Sequence, residues 1–320
     1  MSFNRRTLLA LLALPALAAL PGLAPAQAPT TLRIVVPYPP GGASDRAARI
    51  LAEALQPRLG TTVVVENITG AGGRLAMRQL AGQADPNVVV MANPALMVVA
   101  PLVYKNNGYD PERDFQPLSQ VSSYEFAVAV GAAVPVRELS HLMAWMKANP
   151  DKANLGVPAT GSLPHFFALM WAKAANTQVE VVGYKGSAPL ATDLVGGHVP
   201  AAVDTLDALL PLHEAGKLRI LATSGTQRTL KAIPTFQEAG MKLSAIGWNV
   251  AFAKAAMPAA QAERLSREIA AVMALPEVRD KFLQAKSEPV SASREQTKKM
   301  LAAFSAQWVP VIQQAKLQFD

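Results

Sequence analysis

The sequence has 320 residues, of which 51% are hydrophobic and 17% charged, with 30 Lys and Arg against 23 Asp and Glu. This length predicts about two domains, and the composition excludes a disordered chain. Because there is no cysteine, disulfide frameworks, thiolate metal sites and cysteine nucleophiles are excluded. The histidines show no metal-ligand spacing, so no metal site is predicted; they are His141, His165, His198 and His213.

The first 26 residues have the layout of a secretory signal peptide. Arg5 and Arg6 precede an apolar run over 8–20, and Ala24-Pro25-Ala26 forms a cleavage site before Gln27. The apolar run is shorter than the about 20 residues that a membrane-spanning helix needs. We therefore expect a periplasmic protein exported by a cleaved signal, through either the Sec or the twin-arginine route. The scattered lysines and arginines predict no nucleic-acid partner.

After the signal, short β-branched runs alternate with amphipathic stretches, which is typical of an α/β fold with parallel strands. The first series predicts strands over 32–37, 62–66 and 87–92, with helices over 44–59 and 73–81. The second series predicts strands over 154–157, 179–182, 201–204 and 218–223, with helices near 164–175 and 189–195. Helices over 258–275, 276–285 and 294–315 are expected to cover the first domain.

Two further runs are candidates for strands that cross between the domains: YEFAVAV at 124–130 and GWNVAFA at 247–253. They divide the chain into domain 1, over 27–124 and 253–320, and domain 2, over 125–252. Two crossings can act as a hinge. Since small ligands bind at the carboxyl ends of parallel strands, two such edges that face each other would form a cleft.

The segment from Pro37 to Asp45 lies between the first predicted strand and helix. Its glycines, Gly41 and Gly42, let the backbone approach a ligand, and the helix start supplies amides that favour an anion. Ser44 is placed to cap the helix, and Asp45 is spaced for an i,i+4 pair with Arg49. The alternative is a rigid Pro/Gly turn before an ordinary helix.

The next loop, Glu66 to Arg74, begins like a dinucleotide fingerprint at Gly70-Ala71-Gly72. However, Leu75 occupies the position of the third glycine, so a nucleotide site is disfavoured and no cofactor is predicted. A pocket wall lined by backbone is the better interpretation, with Asn67 as both donor and acceptor.

Two more candidates lie in the second series. Ser162 follows a predicted strand and either caps the next helix or donates to a ligand oxygen. A hydrolase using Ser162 with His165 is a weaker alternative, because no G-x-S-x-G elbow surrounds the serine. Asp204, at a strand end, either accepts from a ligand amine or hydroxyl or caps the following segment.

Four segments occur in order: VVPYPPGGASDRAAR, VVVENITGAGG, GYKGSAPLATDLVGG and GKLRILATSGTQR followed by IPTFQEAG. Their order and spacing over about 31–316 resemble the Bug-type extracytoplasmic solute receptors, the substrate-binding proteins of tripartite tricarboxylate transporters. The resemblance implies an α/β, two-lobed periplasmic binding protein fold of type II, with two crossing strands as hinge. It also implies a small carboxylate as ligand.

The resemblance implies ligand-binding residues in four places. They are Tyr38, Pro40, Gly41 and Gly42 in the Pro-x-x-Gly-Gly loop, Asn67, Ala71 and Gly72 in the adjoining wall, Thr160, Gly161 and Ser162 in the opposing loop, and Asp204. To these the helix start adds Ser44. The chain departs from the family's usual Asp-Gly-Tyr-Thr, because it reads Asp85-Pro86-Asn87-Val88.

We therefore expect a monomeric periplasmic receptor that captures a small organic carboxylate and delivers it to membrane permease subunits. One alternative is a sensor component that presents the same ligand to a membrane receptor. The other is the hydrolase that depends on Ser162.

Overall fold

The computed structural model describes residues 31–83, 85–285 and 287–320. The predicted signal peptide, residues 1–26, lies outside these ranges. Residues Thr31–Asp320 form one compact unit. The proposed division at 124–125 and 252–253 therefore stays a prediction.

The first part of the chain alternates strands and helices as predicted. Its elements are β1 (Leu32–Val36), α1 (Ala43–Leu59), β2 (Val63–Asn67), α2 (Arg74–Ala81), β3 (Val88–Ala92), α3 (Ala100–Val103) and α4 (Pro111–Asp114). A 3-10 turn (Ala71–Gly73) precedes α2, and a π-helix (Ala95–Val99) precedes α3.

The remaining elements follow a long strand, β4 (Phe115–Gly131). They are α5 (Leu139–Ala148), β5 (Asn154–Val157), α6 (Leu163–Ala174), β6 (Glu180–Gly183), α7 (Ser187–Gly196), β7 (Ala201–Thr205), α8 (Leu206–Glu214), β8 (Leu218–Thr223), β9 (Ile246–Lys254), α9 (Ala259–Met273), α10 (Pro276–Gln284), β10 (Glu288–Pro289) and α11 (Arg294–Gln314). Both predicted strand series are confirmed; the elements that were not predicted are α3, α4, α5, α8 and β10.

The strands form one hydrogen-bonded path in the order β2-β1-β3-β9-β4-β7-β5-β6, with β8 and β10 also paired to β4. The first strand set, β1, β2 and β3, is parallel, and so is the pairing of β5 with β6 and β7 in the second strand set. Residues 115–125 of β4 pair with β9, and residues 126–131 pair with β7 and β8. β4 therefore carries the chain from one set to the other, as the crossing-strand prediction requires.

β4 is longer than the predicted strand over 124–130. Its first half contains buried polar side chains that conceal the strand in the sequence, among them Ser119 and Gln120. Ser119 Oγ donates to the Ala292 carbonyl at 2.7 Å, and the Gln120 amide donates to Thr297 Oγ1 at 3.0 Å. Because α11 and the residues before it supply these partners, the polar strand can be buried.

Phe126, at the point where β4 enters the second strand set, is fully buried between aromatic side chains. Its ring centroid lies 5.5 Å from that of Phe167 on α6 and 6.3 Å from that of Trp308 on α11. α11 therefore packs against α6 as well as the first strand set, so it covers more than the first domain. One hydrophobic cluster accordingly extends through both strand sets.

We predict that Phe126→Ala lowers the free energy of unfolding by about 3–5 kcal/mol, since it leaves a cavity among large rings. The matched control is Leu283→Ala, because Leu283 is 47% exposed and its truncation is expected to change stability by about 0.5 kcal/mol or less. Urea unfolding measures both. Equal losses in the two variants would contradict this account of the core.

Candidate functional site

The predicted site residues lie where parallel strands end and helices begin. The first loop group consists of 37–42, between β1 and α1, and 68–73, between β2 and α2. The second loop group consists of 158–162, between β5 and α6, 184–186, between β6 and α7, and Asp204 near the end of β7. Because neighbouring parallel strands end at one sheet edge, each loop group gathers at one edge.

Three of these helices begin at a glycine. In the described ranges, Gly42, Gly73 and Gly186 precede α1, α2 and α7 without a side-chain cap hydrogen bond. The first amides of a helix have no intrahelical acceptor, and the helix dipole makes that end favourable for an anion. The starts of α1 and α7 can therefore bind a carboxylate through the backbone, whereas at α2 the amides of Gly73 and Leu75 donate to the Gly70 carbonyl.

A buried carboxylate, that of Asp45, holds the 37–42 loop in shape. Asp45 Oδ2 accepts from the Gly41 amide at 2.9 Å and from Arg49 Nε at 2.9 Å, which confirms the predicted i,i+4 pair. Asp45 Oδ1 accepts from Asn67 Nδ2 at 2.9 Å. Burial alone would raise the pKa of Asp45, but the hydrogen bonds from Arg49, Gly41 and Asn67 outweigh it and lower the pKa.

Asn67 serves mainly to connect the two loops of the first group. Besides Asp45, its Nδ2 donates to the Tyr38 carbonyl at 3.0 Å, and its Oδ1 accepts from Arg49 Nη2 at 3.1 Å. The Tyr38 hydroxyl donates to Asn93 Oδ1 at 2.9 Å, and burial raises the pKa of that hydroxyl well above its ordinary value. Asn93, which was not among the predicted site residues, thereby fixes the Tyr38 ring.

Ser44 does not cap α1, so that part of the prediction is wrong. The helix begins at Ala43 and its N-cap is Gly42, so the Ser44 side chain turns into the interior. Its Oγ donates to Asn249 Oδ1 at 2.7 Å, and Asn249 Nδ2 donates to Ser122 Oγ at 3.1 Å. Since Asn249 lies on β9 and Ser122 on β4, these buried hydrogen bonds tie α1 to both of these strands.

In the second loop group, Ser162 is the N-cap of α6, which confirms its capping interpretation. Ser162 Oγ accepts from the His165 amide at 3.3 Å. His165 Nδ1 accepts from the Gly161 amide at 3.0 Å, and burial lowers the pKa of this imidazole. The neutral ring therefore carries its proton on Nε2, and Nδ1 is occupied. His165 does not act as a base for Ser162 in this geometry.

Asp204 presents a buried carboxylate oxygen. Oδ1 accepts from the Thr205 amide at 2.7 Å, whereas Oδ2 has no hydrogen-bond partner among the described residues. Burial raises the pKa of Asp204 to about 6, and the charge of Asp207 acts in the same direction, against the effects of the Ser187 hydroxyl and the Thr205 amide. Oδ2 is therefore a buried acceptor without a full set of hydrogen bonds.

Arg46 connects the 37–42 loop to the second strand set. Its Nη1 donates to the Gly41 carbonyl at 2.6 Å, and its Nη2 lies 3.2 Å from Asp207 Oδ2 at the start of α8. The sequence offered no signal for this pair, because the two residues are 161 positions apart. Arg46 thus joins the first loop group to α8, the helix that follows β7, by an ion pair.

A cavity of about 1060 Å³ lies elsewhere, between the end of β4, residues 132–140 and β8. No cluster of three His, Cys, Asp or Glu side chains suited to a metal ion occurs in residues 31–83, 85–285 and 287–320. Within the same residues, every helix is too short or too polar to cross a membrane.

We predict that Asp45→Asn lowers the free energy of unfolding by about 1–3 kcal/mol at pH 7, because Arg49 and the Gly41 amide lose a charged acceptor. Since folding lowers the pKa of Asp45, its stabilisation is present above the ordinary aspartate pKa, about 4, and is lost as pH falls through the folded value. Urea unfolding from pH 3 to 7 measures the effect. The exposed Asp280→Asn is the control, and equal losses in the two variants would refute the role of Asp45.

Asp204→Asn tests a pKa shift in the opposite direction, upward on folding. Because the folded pKa, about 6, exceeds the ordinary value, ionisation opposes folding, so wild-type stability relative to the variant falls as pH rises from about 4 to about 6 and is constant above. A shift of this size corresponds to about 3 kcal/mol. If the difference in unfolding free energy between the wild type and the variant stays the same across this pH range, Asp204 is not buried as described.

The chain is similar to known proteins over most of its length. Residues 47–317 match the tripartite tricarboxylate transporter family receptor. A UPF0065 protein of Bordetella bronchiseptica is 30% identical over 290 residues, which cover 90% of this chain and 86% of that protein. BugT of Bordetella pertussis is 29% identical over 294 residues, 90% of each chain.

Solved structures share the fold. R. palustris Rpa4515 with adipate has a TM-score of 0.82 at 29% identity and covers 91% of this chain and 99% of its own. The periplasmic binding protein BugD has a TM-score of 0.76 at 29% identity, covering 90% and 98%. The fold is thus the predicted two-lobed periplasmic binding protein fold. Because the matched family is a receptor family and BugD is a periplasmic binding protein, the hydrolase hypothesis is wrong. The chain belongs to the family of tripartite tricarboxylate transporter receptors.

Proposed function

We propose that the protein binds a small organic carboxylate between the first and second loop groups. The observation that carries the proposal is the pair of uncapped helix starts at Gly42 and Gly186, which follow parallel strands of the first and the second strand set. Their amides supply donors for an anion without a buried basic side chain. The 29% identical Rpa4515 was solved with adipate, which supports a carboxylate as the ligand class.

The two loop groups contribute different interactions. The amides at the start of α1 bind one carboxylate group, held in place by the network around Asp45. The Asp204 carboxylate accepts from a hydroxyl or amino group elsewhere in the ligand, because the Thr205 amide takes only Oδ1. A ligand that contacts both groups favours the closed arrangement, and exclusion of water strengthens each hydrogen bond.

We also propose that the protein is exported by a cleaved signal, acts as a monomer in the periplasm and delivers its ligand to membrane permease subunits. The family, a receptor of tripartite transporters, supports delivery. A sensor that presents the same ligand is the alternative. Deletion of the gene separates the two: uptake of the ligand is lost if the protein serves a transporter and persists if it serves only a sensor.

Gly42 gives the sharpest test of the site, because a side chain there fits the backbone. Its φ is −75°, and a β-carbon would lie 3.8 Å from its nearest neighbour, the Pro39 carbonyl oxygen. We predict that Gly42→Leu keeps the fold but weakens carboxylate binding at least about 100-fold, since the side chain blocks approach to the first amides of α1. Calorimetry against adipate and other dicarboxylates measures the affinity.

Gly82→Leu is the matched control. Gly82 also has negative φ, −81°, and a β-carbon there would likewise lie 3.8 Å from its nearest neighbour, the Gln79 carbonyl oxygen, but Gly82 ends α2 far from the loop. This variant is expected to bind like the wild type. Unchanged affinity in Gly42→Leu, or the same loss in both variants, would remove the 37–42 loop from the site.

A further inference from the structure

The segment 317–320, which follows α11, lies beside the end of α3. The Phe319 amide donates to the Val103 carbonyl at 2.7 Å, and the Lys105 amide donates to the Phe319 carbonyl at 3.2 Å. The Phe319 ring centroid is 5.2 Å from that of Tyr104. Backbone hydrogen bonds on both sides and a ring contact therefore fix the position of Phe319.

The ring of Phe319 reaches the second loop group. A β-carbon built on Gly161 would lie only 3.0 Å from Phe319 Cε2, so the ring sits directly against the Gly161 backbone. Gly161 also has a φ of +78°, which disfavours any other residue. The glycine thus permits both the turn of the 158–162 loop and the close approach of an aromatic ring from outside that loop.

Arg74 extends the same contacts back to the first loop group. Its guanidinium carbon lies 3.4 Å from the centroid of the Tyr104 ring, and its Nε donates to the Ala71 carbonyl at 3.1 Å. A continuous series of contacts therefore runs from Ala71 through Arg74, Tyr104 and Phe319 to Gly161. Both of its ends are predicted ligand-binding residues, one in each loop group.

We propose that Phe319 forms the wall at one end of the ligand site and limits the length of the carboxylate that fits. The inference rests on the proposed function. The ring contacts the 158–162 loop directly and the 68–73 loop through Tyr104 and Arg74, and its own position is fixed by the backbone of Val103 and Lys105. A half-buried aromatic ring at that place sets a rigid limit to the length of the ligand, whereas the backbone amides at Gly42 can donate to any carboxylate.

The test is calorimetry with linear dicarboxylates from succinate to suberate. Phe319→Ala is expected to favour longer dicarboxylates. The dissociation constant of suberate divided by that of adipate should fall at least about tenfold, which is the effect of a methylene group in a fitted pocket. Phe319→Trp is expected to favour shorter dicarboxylates. Because loss of stability would not produce opposite shifts, the pair separates a wall from a structural role. The neighbouring exposed Gln318→Ala is the control, with the wild-type profile.

The outcomes are distinct. Binding by all variants with one unchanged length profile overturns the role of Phe319 and leaves the proposed function intact. No binding of any dicarboxylate by the wild type and Gln318→Ala overturns the proposed function and the inference with it. If both Phe319 variants bind dicarboxylates of every length more weakly by the same factor, the inference is also overturned, because the residue then only supports the fold.

Discussion

The buried carboxylate of Asp45 is the interaction on which the site depends. Without a compensating partner, burial of this charge would be strongly unfavourable, and the Gly41 amide, Arg49 and Asn67 all donate to it. These partners belong to the 37–42 loop, to α1 and to β2. One anion therefore holds the loop, the helix start and the adjacent strand in a single geometry, so the remaining amides of α1 are free to meet a second anion, the ligand.

The same loop is coupled to β9 and to β4, the strand that connects the two strand sets. Ser44 hydrogen-bonds to Asn249 on β9, which in turn hydrogen-bonds to Ser122 on β4. The β4–β9 register shifts between Gln120 and Ser122, beside this contact. Movement of the loop upon ligand binding would therefore act directly on the irregular part of the crossing strands, where bending disturbs the fewest regular hydrogen bonds.

Much of the fold could be predicted from the sequence, because the β-branched runs of β1 to β3 and of β5 to β8 are short, apolar and bounded by turn residues. The first half of β4 could not, since its polar side chains find partners only in distant segments. The candidate loops were also predictable from their glycines. The actual role of Ser44 and the pair Arg46–Asp207 were not, because tertiary contacts decide them. The contact of Phe319 with Gly161 likewise joins residues far apart in the sequence.

The most direct test of the account is amide hydrogen exchange with and without a bound dicarboxylate. If the ligand lies between the two loop groups, the amides of residues 41–45 and 159–163 will both become more protected upon binding, and so will the crossing strands around Ser122 and Asn249. Protection confined to residues 132–140, beside the large cavity next to β8, would contradict the account. It would place the ligand away from the network that Asp45 organises.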